Sequence, residues 1–305
     1  MTHNPKSIGG VLPVFQTPFH TDESIDFETL AREIDWLYEM GADGICLAMV
    51  SELLRLSHAE RMELAEKAAR FNQQRGTLIL SVGAESSHTA EQLARHAEQA
   101  CGADVLMAIP PVTVRATEDE LTRYYSRILT AVSLPVIVQD ASGYVGQPMS
   151  IAFQASLLEQ FGAERVWFKP EATPIGPRLS ALRDATDGRA RIFEGTGGIA
   201  LVDSFQRGIV GTIPGADLMR GIVPLWRALQ AEDWDRASRI HGPLSALVSL
   251  QTSLDGFLAI EKHLLRRQGV FQNEITRGPR GFLLDPETRR EADRLFDLML
   301  TATTP

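Results

Sequence analysis

Short apolar runs and longer stretches of helical period alternate along this chain almost from end to end. The runs fall at residues 11–15, 44–48, 77–82, 105–109, 135–138, 165–168, 191–193 and 211–213. Most are continuous rather than alternating, the pattern of strands covered on both faces. After the first run, Phe27, Leu30, Ile34 and Leu37 recur at steps of three and four behind Asp26, a predicted helix cap. Ser57-His-Ala-Glu60 and Thr117-Glu-Asp-Glu120 are capping boxes, and the helix between them is predicted to begin near Thr89. Strand–helix alternation predicts a parallel sheet. Eight such units predict a closed (β/α)8 TIM barrel rather than an open doubly wound sheet. No Gly-x-Gly-x-x-Gly follows the first run to suggest a dinucleotide fold.

An internal echo supports the repeat. Gly41-Ala-Asp-Gly-Ile-Cys-Leu-Ala48 resembles Gly102-Ala-Asp-Val-Leu-Met-Ala108, with a looser copy at Gly162-Ala-Glu-Arg-Val-Trp-Phe168. Each glycine is predicted to end a helix, where a left-handed cap favours it. Helical periodicity then continues through 217–232, 234–250, 253–268 and about 286–302. The expected organisation is a barrel over residues 1–232 and a helical extension over 233–305 packed on it, since no low-complexity linker separates them.

Composition narrows the function. A chain of 305 residues, 44% apolar, buries a sizeable core. Its formal net charge of −9, with no basic runs, argues against a nucleic-acid partner, which needs a concentrated positive footprint. Cys46 and Cys101 lie beside apolar runs and are read as buried reduced thiols. No run approaches the ~18 apolar residues of a membrane span. The start, Met1-Thr-His-Asn-Pro-Lys-Ser7, carries no apolar stretch, so no secretory signal and a cytoplasmic location are expected.

Barrel enzymes place reacting groups at the carboxyl ends of strands and in the loops that follow. Lys169 directly follows the bulky run Val166-Trp-Phe168, so its stem is predicted to enter the barrel mouth. Desolvation there disfavours the ammonium form and lowers the pKa, as an amine nucleophile requires. Taken alone, a lysine at a strand end is more often solvated or ion-paired. No cluster of Asp, Glu or His has metal-ligand spacing, and His241 and His263 read as surface or packing residues on the later helices.

Several motifs together resemble the dihydrodipicolinate synthase / N-acetylneuraminate lyase family of class I aldolases and dehydratases. They are Val14-Phe-Gln-Thr-Pro-Phe19, residues 51–61, Ala108-Ile-Pro-Pro111, Leu134-Pro-Val-Ile-Val138, Phe168-Lys-Pro-Glu-Ala-Thr173, Glu194-Gly-Thr-Gly-Gly198 and Gly211-Thr-Ile213. The resemblance implies a barrel with a C-terminal helical part, a homotetramer or dimer, no metal or organic cofactor, and a Schiff base between Lys169 and a 2-oxo acid.

The chain also departs from that pattern. Where most members carry Gly-Thr-Thr-Gly-Glu, this one has Ala48-Met-Val-Ser-Glu52, leaving Ser51 as the hydroxyl. Gln139 replaces the tyrosine that shuttles protons, Val112 the tyrosine that relays to it, and Tyr144 the arginine of the synthases. An amide cannot exchange a proton as a phenol of pKa about 10 can. Synthase activity proper is therefore not expected. Val138-Gln-Asp-Ala141, the Lys169-x-Glu171 pair and Phe193-Glu-Gly195 are similar to the 2-keto-3-deoxy-sugar-acid dehydratase branch, L-2-keto-3-deoxyarabonate dehydratases in particular.

The expected site follows from that likeness. Lys169 is the nucleophile, and Gln139 orients a hydroxyl or water. The Val50 and Ser51 amides with the Ser51 hydroxyl hold the substrate carboxylate. Thr17, Asp140, Gly195 and the Ile213 carbonyl border the bound chain. The general acid stays open among Asp140, Glu194, Ser51 and the substrate carboxylate. Dehydration is the expected reaction. A pyruvate-releasing class I aldolase and a non-catalytic keto-acid or sugar-acid binding protein are the alternatives.

Overall fold

The computed structural model describes residues 8–304; residues 1–7, read above as carrying no leader, lie outside the described residues. Eight strands run in chain order: β1 (Gly10–Val11), β2 (Gly44–Leu47), β3 (Thr77–Ser81), β4 (Val105–Ala108), β5 (Val136–Gln139), β6 (Val166–Lys169), β7 (Arg191–Glu194) and β8 (Gly211–Thr212). Helices follow them in turn: α1 (Phe27–Glu39), α2 (His58–Asn72), α3 (Ser87–Gln99), α4 (Glu118–Ala131), α5 (Ile151–Phe161), α6 (Ile175–Ala185), α7 (Leu201–Gln206) and α8 (Met219–Gln230). Every neighbour pair is parallel, in the order β1-β8-β7-β6-β5-β4-β3-β2. The sheet rolls into a (β/α)8 barrel. Just past β1, Val14 bridges in parallel to Cys46 on one side and Gly215 on the other. Phe15 N–H donates to the Cys46 carbonyl, and Cys46 N–H to that of Pro13.

The first strand is shorter than the apolar run 11–15 predicts, because Pro13 has no N–H for a ladder. Predicted caps hold at Asp26, Ser57 and Thr117, whose side chains accept from Thr29, Glu60 and Glu120 N–H. The third helix starts two residues earlier than predicted, since Ser86 accepts from Thr89 N–H and makes Thr89 part of the first turn. Gly41, Gly102 and Gly162, the echoed glycines, all lie just past helix ends at positive φ (96°, 62° and 88°).

Two apolar layers result. Cys46, Ile79, Met107, Ile137, Trp167, Phe193 and Ile213 fill the barrel interior. Their strand neighbours, among them Ile45, Leu80, Leu106, Val138 and Phe168, pack outward against the helices. Both cysteines are free and buried, and burial pushes the Cys46 thiol up to about 12. Three helices follow α8: α9 (Trp234–Val248), α10 (Leu254–Arg267) and α11 (Pro286–Thr303). α9 packs between α8 and α11. α10 reaches back to the barrel's carboxyl end, where Lys262 Nζ donates to the Thr17 carbonyl (2.8 Å) and Glu261 accepts from Ala216 N–H (2.7 Å).

Candidate active site

Strand register decides which side chains enter the barrel mouth. Successive residues alternate faces, so Trp167 inward puts Phe168 outward and Lys169 inward. The same count from Ile137 brings Gln139 inward, directly beside Lys169 in the β5–β6 register. Lys169 is 5% exposed. Its Nζ donates to Glu171 Oε1, which also receives Gln139 Nε2 at 2.7 Å. Because a carboxylate only accepts, this contact fixes the orientation of the Gln139 amide. The Gln139 oxygen is left buried without a donor.

The lysine stem is threaded against a glycine. A Cβ on Gly195 would stand 2.8 Å from Nζ and 2.9 Å from Cε and Cγ of Lys169, which no real side chain tolerates. Opposite walls come from elsewhere: Ala48, Met49 and Val50 around a 3-10 turn, residues 213–215 after β8, Tyr144 from the β5–α5 loop, and Phe257 from α10. Tyr144 and Phe257 pack ring to ring, with centroids 6.1 Å apart. Burial, followed by the carboxyl groups of Glu171, Glu261 and Asp217, pushes the Tyr144 phenol well above its ordinary value. At neutral pH the phenol therefore stays protonated and can donate a hydrogen bond.

A layer of buried polar groups lies behind the pocket. Lys262 pairs with Glu52 and is fully buried, with desolvation lowering its pKa against the pull of Glu52. Burial pushes Glu33 and Glu261 well up, and Asp217 to about 7. Two of their oxygens lie against the pocket wall. A Cβ on Gly215 would stand 2.8 Å from both Asp217 Oδ1 and Glu261 Oε1.

The structure brings five of the eight sequence-derived site residues together: Lys169, Gln139, Val50, Gly195 and Ile213 all line one pocket. The other three do not reach it. Ser51 sits on the 3-10 turn with its hydroxyl donating to the Phe15 carbonyl (2.6 Å), so it ties the turn to the first strand segment. The Thr17 hydroxyl donates to the Ser51 carbonyl (2.6 Å). Asp140 turns away from the mouth and accepts from Glu171 N–H (3.0 Å) and Ala172 N–H (3.3 Å), holding the loop that carries Glu171. Glu194, considered as general acid, accepts from Thr212 Oγ1 (2.6 Å) and Thr196 N–H (2.5 Å) and is likewise structural.

Glu171, Tyr144 and Phe257 are among the pocket residues to which the sequence assigns no role. Glu171 was visible only as a spacing after Lys169. Tyr144 was seen as a missing arginine, yet it restores a phenol to a pocket expected to lack one. Phe257 gave no signal, because a helix about ninety residues beyond Lys169 folds over the mouth. Val112 packs with Ile109 and Tyr144 in a small apolar cluster beside the pocket. Among the described residues no group of three or more His, Cys, Asp or Glu side chains is placed to hold a metal. No helix there is long and apolar enough to cross a membrane.

Fold and pocket define a (β/α)8 barrel with a buried, ion-paired lysine at the carboxyl end of its sixth strand. The chain belongs to the dihydrodipicolinate synthetase family, whose model matches residues 7–290. L-2-keto-3-deoxyarabonate dehydratase of Azospirillum brasilense is 28% identical over 303 residues, covering 95% of this chain and 96% of its own. A probable 2-dehydro-3-deoxy-D-pentonate aldolase of Escherichia coli strain K12 is 34% identical over 146 residues, 48% of each chain. The 4-hydroxy-tetrahydrodipicolinate synthase of Methylacidiphilum fumariolicum SolV superposes over 97% of both chains with a TM-score of 0.88 at 23% identity, a likeness of fold. At this level the chain is a lyase of the family.

Proposed function

We propose that Lys169 forms a Schiff base with a 2-oxo acid and that the enzyme dehydrates a 2-keto-3-deoxy sugar acid, L-2-keto-3-deoxyarabonate first among candidates. The observation that carries this is the shared contact of Lys169 and Gln139 on Glu171 Oε1, in a pocket that also holds a protonated Tyr144. The full-length likeness to the arabonate dehydratase supports the substrate class.

The chemistry follows from these positions. Glu171 takes a proton from Lys169, and the free amine attacks the 2-keto carbon. Loss of water from that adduct gives an iminium, whose positive charge makes the C3 protons acidic. Glu171, having returned its proton to the departing water, takes one of them and leaves an enamine. The enamine expels the C4 hydroxyl as it takes a proton from an acid in the pocket, and hydrolysis returns Lys169 with a product lighter by one water. Glu171 carries the proton that the departing hydroxyl takes, and Tyr144, whose phenol keeps its own proton, donates a hydrogen bond to that hydroxyl. Gln139 presents an acceptor oxygen, so it orients a substrate hydroxyl rather than helping it leave. The 3-10 turn at Val50 holds the C1 carboxylate: Ser51 N–H is taken by the Ala48 carbonyl, and the N–H groups at the start of a helical turn have no acceptor within it.

One observation favours a second reading. Once unprotonated, Glu171 can accept the C4 hydroxyl proton, which breaks C3–C4 and releases pyruvate as an aldolase does. The test is product mass from a panel of 2-keto-3-deoxy pentonates and hexonates, with borohydride trapping alongside. Loss of water with a reduced adduct on Lys169 is the expected result. Stoichiometric pyruvate without a dehydrated product would decide for the aldolase. Absence of any adduct, with no turnover, would leave a binding protein.

A further inference from the structure

The Val50 turn is short, and much of what fixes it comes from side-chain bonds. Ser51 N–H donates to the Ala48 carbonyl just before it, and the turn ends at Glu52 in a left-handed conformation (φ 60°). Yet it forms a pocket wall. Gln16, fully buried and outside the pocket, reaches it from β1's continuation, with Nε2 donating to the Val50 carbonyl at 2.7 Å. The same nitrogen donates to Glu261 Oε2 on α10. The other oxygen of Glu261 accepts from Ala216 N–H at 2.7 Å, next to the wall residue Gly215.

We infer that Gln16 is a positioning residue for substrate binding: backed by Glu261, it sets the Val50 turn where the 2-oxo acid's carboxylate is held. The inference rests on the reading of that pocket given above. The residue type follows from its neighbours. Both partners of the side chain are acceptors, a carbonyl and a carboxylate, so the site needs two N–H hydrogens on one small neutral group. An amide has them; a carboxylate in its place has no hydrogen to give. Its own oxygen is left buried without a donor, the consequence of aiming both hydrogens at the turn and at α10. Backbone N–H of Gln16 donates to Glu33 Oε1 (2.8 Å), so the residue is held at its main chain as well. Glu261 thereby ties two pocket walls to one helix.

The experiment is pyruvate-dependent borohydride trapping on the full chain, read by intact mass as the fraction of protein modified at each pyruvate concentration. Gln16→Met keeps the volume and removes both hydrogens. The half-saturating concentration is expected to rise by about tenfold, the scale of one lost hydrogen bond, with the same plateau and the adduct still on Lys169. Amide exchange should quicken in the peptide spanning residues 48–52 while the rest of the exchange map stays as in the wild type. Should Gln16→Met fail to fold, Thr17→Val decides, since it removes the other side-chain bond to this turn (Thr17 Oγ1 to the Ser51 carbonyl, 2.6 Å) and should shift half-saturation in the same direction. An unchanged half-saturation in a folded variant overturns the inference and leaves the Schiff base intact. Absence of adduct in the wild type overturns the reading of the pocket, and this inference with it.

Discussion

Two sides of the same pocket are built on different electrostatic terms. On the β5–β7 side, Lys169 and Glu171 make one buried pair, with an amide completing it. On the α10 side, Glu33 and Glu261 are buried around Lys262, which already has Glu52 as its partner, and Asp217 is buried beside Glu261. The first region is balanced in charge, one ammonium against one carboxylate. The second carries more carboxyl groups than cations, and holding all of them ionised away from water is unfavourable. Burial accordingly is the first cause of the raised pKa values there. Under the proposed function, the difference separates the part of the pocket assigned the chemistry from the part that keeps its shape.

The largest effect that can break this contrast is at the lysine. Lys169→Ala should abolish the reduced pyruvate adduct and lower turnover by at least about 10³-fold with little change in melting temperature. An adduct that survives, on Lys262 for example, would exchange the roles of the two regions. The opposite pattern is expected on the α10 side. Lys262→Met leaves Glu52 buried without its ammonium and should cost about 3–5 kcal/mol of stability in a denaturant titration. Protein that still folds should retain its trapped adduct at saturating pyruvate.

A third change sharpens the boundary from inside the balanced region. Gly195→Ala drives a methyl group into the Lys169 stem and should lower kcat by about 10²-fold, with circular dichroism unchanged. The smallest effect is a pH slope. Asp217 holds its proton up to about pH 7 in the folded chain, against an ordinary value of 3.8. Between those values the folded state binds a proton that the unfolded state has released, so this contribution to stability is full below pH 4 and is lost as pH rises through 7. Unfolding free energy should therefore fall from pH 5 to pH 8, and Asp217→Asn should flatten that fall by an amount on the order of 2 kcal/mol. An identical slope in the variant would show that the proton resides elsewhere in the layer.

Sequence alone determined the barrel and the place of Lys169 at the inward end of its sixth strand. Both depend on local periodicity: continuous apolar runs, capped helices at steps of three and four, and a strand alternation that turns Lys169 and Gln139 inward once Trp167 and Ile137 are core. Tertiary structure decided the rest of the pocket. Ser51, Thr17 and Asp140 have the right chemistry at the right strand ends, but each side chain bonds to backbone that a turn brings near it. A run of letters does not say which way a short polar side chain will face when a main-chain donor or acceptor competes for it. Phe257 and Glu261 carry the reverse lesson. Nothing in their local sequence marks them, because their place at the mouth depends on contacts made across many tens of residues, and long-range packing leaves no periodic trace in the chain that makes it.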